Sequence, residues 1–300
     1  MTFRTRFAPS PTGPLHLGHA YSAMLGFDMA VAEGGEWLLR IEDIDRQRSK
    51  PEWERQIYED LAWLGLWWPE PVMRQSERQD AYQRVLDELW EWDKVFECTC
   101  SRADVLAAVS APQEGVPVMG PDGLRYPGTC RRNRSSSGNL SRRFPDAALR
   151  LDMAYAARLG AQPRVQEGEF LSFQEGGEGP NGEHGLIEFT ADEIIRTVGD
   201  VVLARRGMGT SYHLSVVLDD ADQGITHVVR GRDLFEATRI HVVLQRLLGL
   251  PTPTYHHHCL IRDETGRRLA KREDAKAIRR FREEGATPED IRRMVGLDAP

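Results

Sequence analysis

The sequence predicts an α/β protein built on a doubly wound parallel sheet, with an inserted segment and a short helical tail. Two observations lead to this prediction. Strand-like and helix-like segments alternate over the first 64 residues and again from about residue 200, as in parallel strands joined by helices. Between these stretches, residues 95–185 lose regular periodicity, as expected for an insertion between two halves of a sheet.

The first half of the predicted sheet alternates strands with helices. Each predicted strand is a short apolar or aromatic run, and each predicted helix carries apolar residues at helical spacing. Pro51 suits the first turn of a helix, because the N–H that proline lacks is unpaired there in any residue. The expected segments are strand 2–8, helix 17–32, strand 37–41, helix 51–64 and helix 77–92.

The second half follows an irregular stretch with three cysteines, an Arg- and Ser-rich run and a Gly/Glu-rich loop at 174–185. Regular patterning then resumes. The tail is charged and helical from Ala275, and Thr287 with Pro288 forms a cap-and-proline start for a last helix ending near Gly296. The expected segments before the tail are strand 200–204, helix 211–218, strand 226–230 and helix 234–248.

Four segments summarise the predicted organisation. The two halves of the sheet flank the insertion, and a basic loop with the helical tail closes the chain. In that order, the first half, the insertion, the second half and the tail cover residues 1–94, 95–187, 188–250 and 251–300.

Composition sets limits on partners and location. The 300 residues are 40% hydrophobic and 28% charged, which is typical of a globular protein, and no stretch approaches the roughly 20 apolar residues of a membrane span. The first residues contain no apolar signal segment, so we expect a cytoplasmic monomer without a membrane partner. The net charge of -7 disfavours generic binding of nucleic acid, so an RNA partner would need a local patch.

The loop between the first strand and the first helix carries P-S-P-T-G-P-L-H-L-G-H over residues 9–19. A helix N-terminus offers unpaired N–H groups and a positive dipole end, which predicts an anion site. His16 and His19, one turn apart, are expected to stabilise charge developing on a phosphate, and Gly18 to let a nucleotide approach the backbone. The alternative is a Pro-rich loop with two hydrogen-bonded histidines; the strand–loop–helix context favours the nucleotide site.

A basic loop, G-R-R-L-A-K-R, lies far down the chain at residues 266–272. Taken alone, it is typical of a solvated turn. Together, residues 16–19 and 268–272 resemble the HIGH and KMSKS motifs of class I aminoacyl-tRNA synthetases, although only Lys271 keeps its KMSKS residue. The resemblance implies a Rossmann-type catalytic domain in which His16, His19 and Lys271 are catalytic. It also implies that these three residues and Gly18 bind ATP, which carries Mg²⁺.

Two further segments, R-F-A-P-S-P-T-G at residues 6–13 and R-I-E-D at 40–43, resemble glutamyl-tRNA synthetases. Glutamate has two carboxylates and an ammonium, and an Arg can grip a carboxylate with two hydrogen bonds. We expect arginines to hold the carboxylates, an acidic side chain to hold the ammonium, and hydroxyl groups to complete the pocket. The glutamate-binding residues that the resemblance implies are Arg6, Phe7, Ala8, Pro9, Ser10, Glu42, Tyr212 and Arg230.

Each polar member of this set also has a structural alternative. Glu42 would be a strand-end carboxylate paired with Arg40 or Arg46, and Tyr212 a half-buried packing residue. Arg230 would form a salt bridge with Asp233. Taken together, these alternatives would have to reproduce the family pattern by chance.

Three of the four cysteines, Cys98, Cys100 and Cys130, lie in the insertion. In a cytosolic chain this spacing indicates a closed tetrahedral Zn²⁺ site rather than disulfides. Short paralogues of glutamyl-tRNA synthetase, the glutamyl-queuosine tRNA(Asp) synthetases, carry a similar C-x-C…Y-x-x-x-C pattern, which implies Tyr126 as the fourth ligand. The alternative is three unrelated thiols. The H-H-H-C run at residues 256–259 is not expected to bind a metal, because side chains alternate along an extended chain.

The resemblance narrows to these paralogues, because too few residues follow Arg272 for a large anticodon-reading domain. It implies that glutamate is activated with ATP before any tRNA binds. The glutamate would then pass to the queuosine base in the anticodon of tRNA(Asp). Arginines of the insertion are candidate contacts for the tRNA backbone, with a solvated loop as the alternative. They are Arg131, Arg132, Arg134, Arg142 and Arg143.

Two other functions remain open from the sequence. Another H-x-G-H nucleotidyltransferase would activate a different substrate, but the R-I-E-D segment and V-V-R-G at residues 228–231 argue against it. A catalytically inactive paralogue would only bind tRNA, but His16, His19 and Lys271 argue against that.

Overall fold

The computed structural model describes residues 2–109, 119–132, 143, 146–164, 168–261 and 276–297. Its strands are β1 (Arg4–Phe7), β2 (Glu36–Ile41), β3 (Met73–Arg74), β4 (Val95–Glu97), β5 (Met119–Gly120), β6 (Gly123–Leu124), β7 (Leu149–Leu151), β8 (Gln162–Arg164), β9 (Gly168–Glu175), β10 (Gly185–Thr190), β11 (Val202–Ala204), β12 (His227–Gly231) and β13 (Thr254–His258). Its helices are α1 (Leu17–Ala32), α2 (Pro51–Trp63), α3 (Gln79–Glu91), α4 (Arg102–Val109), α5 (Thr129–Arg132), α6 (Met153–Gly160), α7 (Ala191–Thr197), α8 (Tyr212–Asp222), α9 (Phe235–Leu247), α10 (Ile278–Glu283) and α11 (Pro288–Val295).

The main sheet contains strands from the first and from the last third of the sequence. Strands β1, β2 and β3 pair in parallel, and so do β12 and β13. The first strand lies beside β12, where the Thr226 N–H donates to the Arg4 carbonyl at 2.9 Å. On the other side, β9 pairs with β13 in parallel and with β10 in antiparallel fashion. The predicted α/β fold with a parallel sheet is therefore confirmed.

A second, smaller sheet is antiparallel and consists of β4, β7 and β11. The predicted strand at 200–204 is real, but it belongs to this sheet rather than to the parallel one. The short pair β5–β6 lies in the same part of the chain. Strands β9 and β10 were not predicted, and residue 187, the predicted end of the insertion, lies within β10. The four segment boundaries stay predictions.

The tail packs onto the first helix. Ile278 and Ile291 are fully buried in one hydrophobic cluster with Leu15 and Met24. The last helix begins and ends as predicted: Thr287 caps it, with Pro288 in its first turn, and Gly296 terminates it at a φ of 75°. This packing brings residues after the predicted basic loop back to the start of α1. Among the described residues, no helix is long and apolar enough to cross a membrane.

Candidate active site

The first helix opens on a reciprocal histidine cap. The Gly18 N–H donates to His16 Nδ1 at 3.1 Å, and the His16 N–H donates to His19 Nδ1 at 3.2 Å. Because each Nδ1 accepts, each neutral ring carries its proton on Nε2. The two rings stack at 3.8 Å. The predicted pair is thus held at the N-terminus of α1 by the backbone donors that the cap satisfies.

Gly18 has a role that sequence reasoning did not identify. A Cβ at this position would lie 3.1 Å from Cε1 of His16, closer than ordinary van der Waals contact. The glycine therefore leaves room for the His16 ring to fold back onto the helix start. The predicted approach of a nucleotide to this backbone stays a prediction.

Lys271 and the rest of the loop at 268–272 lie outside the described residues. The chain on either side of that region contacts α1. Cys259 lies 3.8 Å from the Tyr21 hydroxyl, and the Ile278 N–H donates to the Leu15 carbonyl at 2.8 Å. The described residues before and after this region, Cys259 and Ile278, therefore lie near the histidine cap.

A buried ion network joins two strands to helix α8. Arg6 donates to both carboxylate oxygens of Asp220, at 2.9 and 3.3 Å. Arg40, which is completely buried, donates to Asp220 at 2.7 Å and to Glu42 at 3.2 Å. The predicted Arg40–Glu42 pair exists, but Asp220, which holds both arginines, was missed. An aspartate among apolar helix residues was the signal that could have revealed it.

The two carboxylates of this network, Asp220 and Glu42, are not equally well neutralised by the nearby arginines. Although burial opposes ionisation, Arg6 and Arg40 hold the pKa of Asp220 below its usual value. Burial raises the pKa of Glu42, and the nearby Arg40 and Arg6 only partly offset that rise. Asp220 is therefore a stable anion, whereas Glu42 would be better satisfied by an added cation. A ligand ammonium is such a cation.

A cavity of about 230 Å³ opens beside this network and is lined by Ser10, Glu42 and Tyr212, among others. Tyr212 begins α8, and burial raises the pKa of its phenol, so the phenol stays a neutral hydrogen-bonding group. Arg205 and Met208 also line the cavity and were not predicted.

Three other predicted residues are placed differently. Phe7 is a core residue whose ring stacks on Trp37 at a centroid distance of 6.4 Å, so the structure does not bring its side chain to the cavity. Pro9 is buried, and its carbonyl accepts from the Glu42 N–H at 3.0 Å. Ala8 is half-buried between them. These residues position the loop.

Arg230 lies at the carboxyl end of β12 and is only 6% exposed. Its guanidinium donates to Thr238 Oγ1 at 2.6 Å and to the Leu234 carbonyl at 3.3 Å. It also donates to two histidines, His257 at 3.1 Å and His241 at 3.3 Å. Among the described residues, none of these partners is a carboxylate, so the buried positive charge is available to an anionic ligand.

Neighbouring histidines of the run at residues 256–258 contact different parts of the molecule, as the alternation of side chains along an extended chain predicts. His257 contacts Arg230, whereas Nε2 of His258 lies 2.5 Å from the Ser22 hydroxyl of α1. Burial lowers the pKa of His258 to about 4, so this ring is neutral near pH 7. The contribution of His257 to the Arg230 pocket was not foreseen.

The predicted metal ligands converge in space. The sulfurs of Cys98, Cys100 and Cys130 lie within 4.8 Å of one another, and the Tyr126 hydroxyl is 3.6 Å from the Cys100 sulfur. Tetrahedral zinc–sulfur bonds of about 2.3 Å place sulfurs roughly 3.8 Å apart, so the donor set fits. Arg150 donates to Cys98 at 3.2 Å and covers the Tyr126 ring at 4.0 Å, which offsets negative charge from thiolates.

The arginines of the insertion are not one surface. Arg143 is 5% exposed and pairs with Asp87, so the expectation that it contacts tRNA is wrong. Arg131 faces Asp200 at 3.4 Å. Arg134 and Arg142 lie outside the described residues, as does the side chain of Arg132.

The chain matches a known protein family over most of its length. The family model that matches the chain describes the catalytic domain of class I tRNA synthetases (E and Q), over residues 2–150 and 182–298. The chain is 59% identical over 294 residues to the glutamyl-Q tRNA(Asp) synthetase of Rhodobacter capsulatus, covering 98% of this chain and 99% of that protein. It is 34% identical to the glutamate–tRNA ligase of Symbiobacterium thermophilum, covering 99% of this chain and 58% of that ligase.

Among solved structures, the chain resembles a glutamate tRNA ligase from Elizabethkingia meningosepticum that was crystallised with its amino acid. The TM-score is 0.71 at 24% identity, over 99% of this chain and 61% of that one. This likeness shows the shared fold. The chain thus spans about three fifths of the solved ligase.

Proposed function

The chain belongs to the class I tRNA synthetases of the glutamate and glutamine type and, within them, to the glutamyl-Q tRNA(Asp) synthetases, and on that premise we propose its reaction. It activates L-glutamate with ATP to glutamyl-adenylate and transfers the glutamate to the queuosine base in the anticodon of tRNA(Asp). We propose that it acts in the cytoplasm as a monomer.

The observation that carries the first step is the set of charges around Tyr212, which lines the 230 Å³ cavity with Ser10 and Glu42 and interacts electrostatically with Arg230, Glu42 and Arg6. Arg230 offers a guanidinium without a direct carboxylate partner among the described residues, and Glu42 offers a carboxylate that lacks full compensation. Ser10 and Tyr212 add hydroxyl groups to the cavity lining. Glutamate matches this pattern, because its ammonium suits Glu42 and a carboxylate suits Arg230.

Arg6 has a more limited role than the sequence predicted. Its Nε and one Nη already donate to Asp220. Two parallel hydrogen bonds to a substrate carboxylate must therefore come from the edge of the guanidinium that the two Nη groups form. We propose that Arg6 supplies positive charge and one or two of its remaining N–H groups to the second carboxylate. Arg230 then sets the orientation of the amino acid.

In the proposed chemistry, an oxygen of the glutamate α-carboxylate attacks the α-phosphorus of ATP in line. The bond from that phosphorus to the bridging oxygen breaks, and pyrophosphate leaves. His16 and His19 stabilise the charge that develops on the phosphate oxygens through their Nε2–H groups. Magnesium bound with ATP would neutralise charge on the phosphates. A tRNA hydroxyl then attacks the acyl carbon, and AMP leaves.

We propose that Lys271 also contacts the ATP phosphates. It lies six positions before Ala277, which pairs with His16, and a chain of six residues spans at most about 20 Å. The reach of the chain is therefore compatible with a contact at the histidine cap.

The test of the proposed function is glutamate-dependent exchange of pyrophosphate into ATP without tRNA, with aspartate and glutamine as controls. We expect exchange with glutamate alone. Transfer is then measured on tRNA(Asp) with and without queuosine, and only the modified tRNA should accept glutamate. If none of the amino acids supports exchange, even after bulk tRNA is added, the result would support the inactive tRNA-binding paralogue.

The second proposal is a structural Zn²⁺ held by Cys98, Cys100, Cys130 and Tyr126. Metal analysis of the purified protein should find about one zinc per chain. Cys130→Ser should lose the zinc and lower the melting temperature, because a tetrahedral structural site contributes directly to folding. Cys259→Ser is the matched control, since this exposed cysteine lies outside the cluster. Zinc-free wild type with three freely titratable thiols in the folded state would refute the site.

A further inference from the structure

The buried Arg230 guanidinium is oriented by a chain of two hydrogen bonds and one histidine–carboxylate contact that leads into the insertion. Its Nη1 lies 3.3 Å from His241 Nδ1, and His241 Nε2 lies 3.1 Å from His213 Nδ1. His213 Nε2 in turn lies 3.4 Å from the Asp122 carboxylate. Both histidines are buried, so the chain crosses the interior from β12 to the loop between β5 and β6.

Arg230, at one end of this series of contacts, determines which atom donates at each step. Arginine can only donate, so His241 Nδ1 must accept, and its ring proton must sit on Nε2. That proton is donated to His213 Nδ1, which places the His213 proton on its Nε2. The last proton needs an acceptor, and Asp122 supplies it. Asp122 therefore stabilises the tautomer that Arg230 imposes on both rings.

Without that acceptor, His213 gains a second tautomer. A proton on its Nδ1 would face the proton on His241 Nε2, or would force the His241 proton onto Nδ1, opposite the Arg230 donor. Either arrangement sets two donors against each other in a buried site. The guanidinium would then shift from its position.

A parallel chain holds the other side of Arg230. Its Nε donates to His257 Nε2, so the His257 proton sits on Nδ1, where it is donated to Glu175 at 2.5 Å. Imidazole rings separate Arg230 from the carboxylate in both chains, two rings toward Asp122 and one toward Glu175. The partners His241, His257, Thr238 and Leu234 account for four of the five guanidinium N–H groups, which leaves one on Nη1 to be aimed.

We propose that Asp122 is a positioning residue for glutamate, acting through His213 and His241 to aim the remaining Nη1–H of Arg230 at the substrate carboxylate. The inference rests on the proposed function, since it takes Arg230 to be the carboxylate ligand. It couples the insertion to amino-acid binding, because Asp122 lies four residues before Tyr126 of the cysteine cluster.

Asp122 is a suitable residue for the test, because its side chain is 35% exposed and its removal leaves no sizeable cavity. The variants are Asp122→Ala, Asp122→Asn and the control Asp192→Ala, whose carboxylate is 84% exposed on α7 and pairs with Arg158. Glutamate KM, ATP KM and kcat are measured by pyrophosphate exchange, and Tm by thermal unfolding. We expect Asp122→Ala to raise the glutamate KM by about tenfold, with the ATP KM and Tm close to wild type.

Asp122→Asn keeps an oxygen that accepts from His213, so it should recover most of the wild-type glutamate KM. In a His213→Phe background, Asp122→Ala should have no further effect, because the chain is already broken. A glutamate KM unchanged in Asp122→Ala, or raised equally in Asp192→Ala, would overturn the proposal.

A second measurement separates this inference from the proposed function. Nitrogen-15 NMR of the histidine rings should show only the Nε2–H tautomer at His213 and His241 in the wild type, and mixed tautomers in Asp122→Ala. An Nδ1–H tautomer in the wild type would overturn the relay whatever the substrate. If the tautomers are as expected but glutamate supports no exchange, the glutamate assignment fails and with it the positioning role.

Discussion

Arg230→Ala is expected to abolish glutamate activation while ATP still binds. Truncating one partner of a buried, hydrogen-bonded charge pair costs about 2–5 kcal/mol, so exchange with glutamate should fall by roughly 10²- to 10³-fold or more. ATP binding should persist, because Arg230 contacts neither His16 nor His19. The measurements are glutamate-dependent exchange and equilibrium binding of ATP.

Two variants control this experiment. Arg230→Lys keeps a positive charge but not the planar donor set that meets His241, His257 and Thr238, so its activity should also be low. Arg158→Ala removes a half-exposed arginine that pairs with Asp192 on the surface, and it should retain full activity. Wild-type turnover in Arg230→Ala would refute the assignment of the glutamate site.

Asp220→Asn is expected to cause the largest loss of stability. Asp220 is 6% exposed and holds both Arg6 and Arg40, so its neutralisation deprives two buried guanidinium groups of the carboxylate that they share. Breaking such a network typically costs about 3–5 kcal/mol. Thermal unfolding should show a clearly lower Tm, and the glutamate KM should rise because Arg6 and Glu42 shift.

The matched control is Asp222→Asn, two residues along the same helix. Its carboxylate is 58% exposed and pairs with Arg78, so the loss should stay within about 1 kcal/mol. Equal effects of the two substitutions would show that helix α8, rather than the buried network, determines the result. An Asp220→Asn protein with wild-type Tm and glutamate KM would contradict the role given to Asp220.

Much of the fold could be predicted because its signals are local. The bounds of α1 match the prediction at both ends, and Thr287, Pro288 and Gly296 define α11 through cap chemistry that depends only on neighbours. Strands β9 and β10 were missed. The exposed residues of β10 are Leu186 and Glu188, so apolar and polar residues do not separate onto two faces, and the strand is defined by its pairing with β9.

The candidate site likewise contains residues that the sequence could predict and contacts that it could not. Motif residues such as His16, Ser10, Glu42 and Tyr212 could be chosen from short patterns and from the chemistry of glutamate. The structure brings Ser10, Glu42 and Tyr212 to one cavity, and it places the ring of Phe7 in the core instead. The pairing of Asp220 with Arg6 could not be read from the sequence, because 214 residues separate the two.

The sequence by itself determined the family, the α/β fold, the histidine cap at the start of α1 and the members of the cysteine cluster. These follow from residue types at fixed short spacings, where the local backbone dictates geometry. Only the tertiary structure decided which buried polar groups satisfy one another: Asp220 with two arginines, and His257, His241 and His213 around Arg230. The physical reason is that a buried hydrogen-bonding group needs a partner in space, and the sequence does not record which distant strand or helix supplies it.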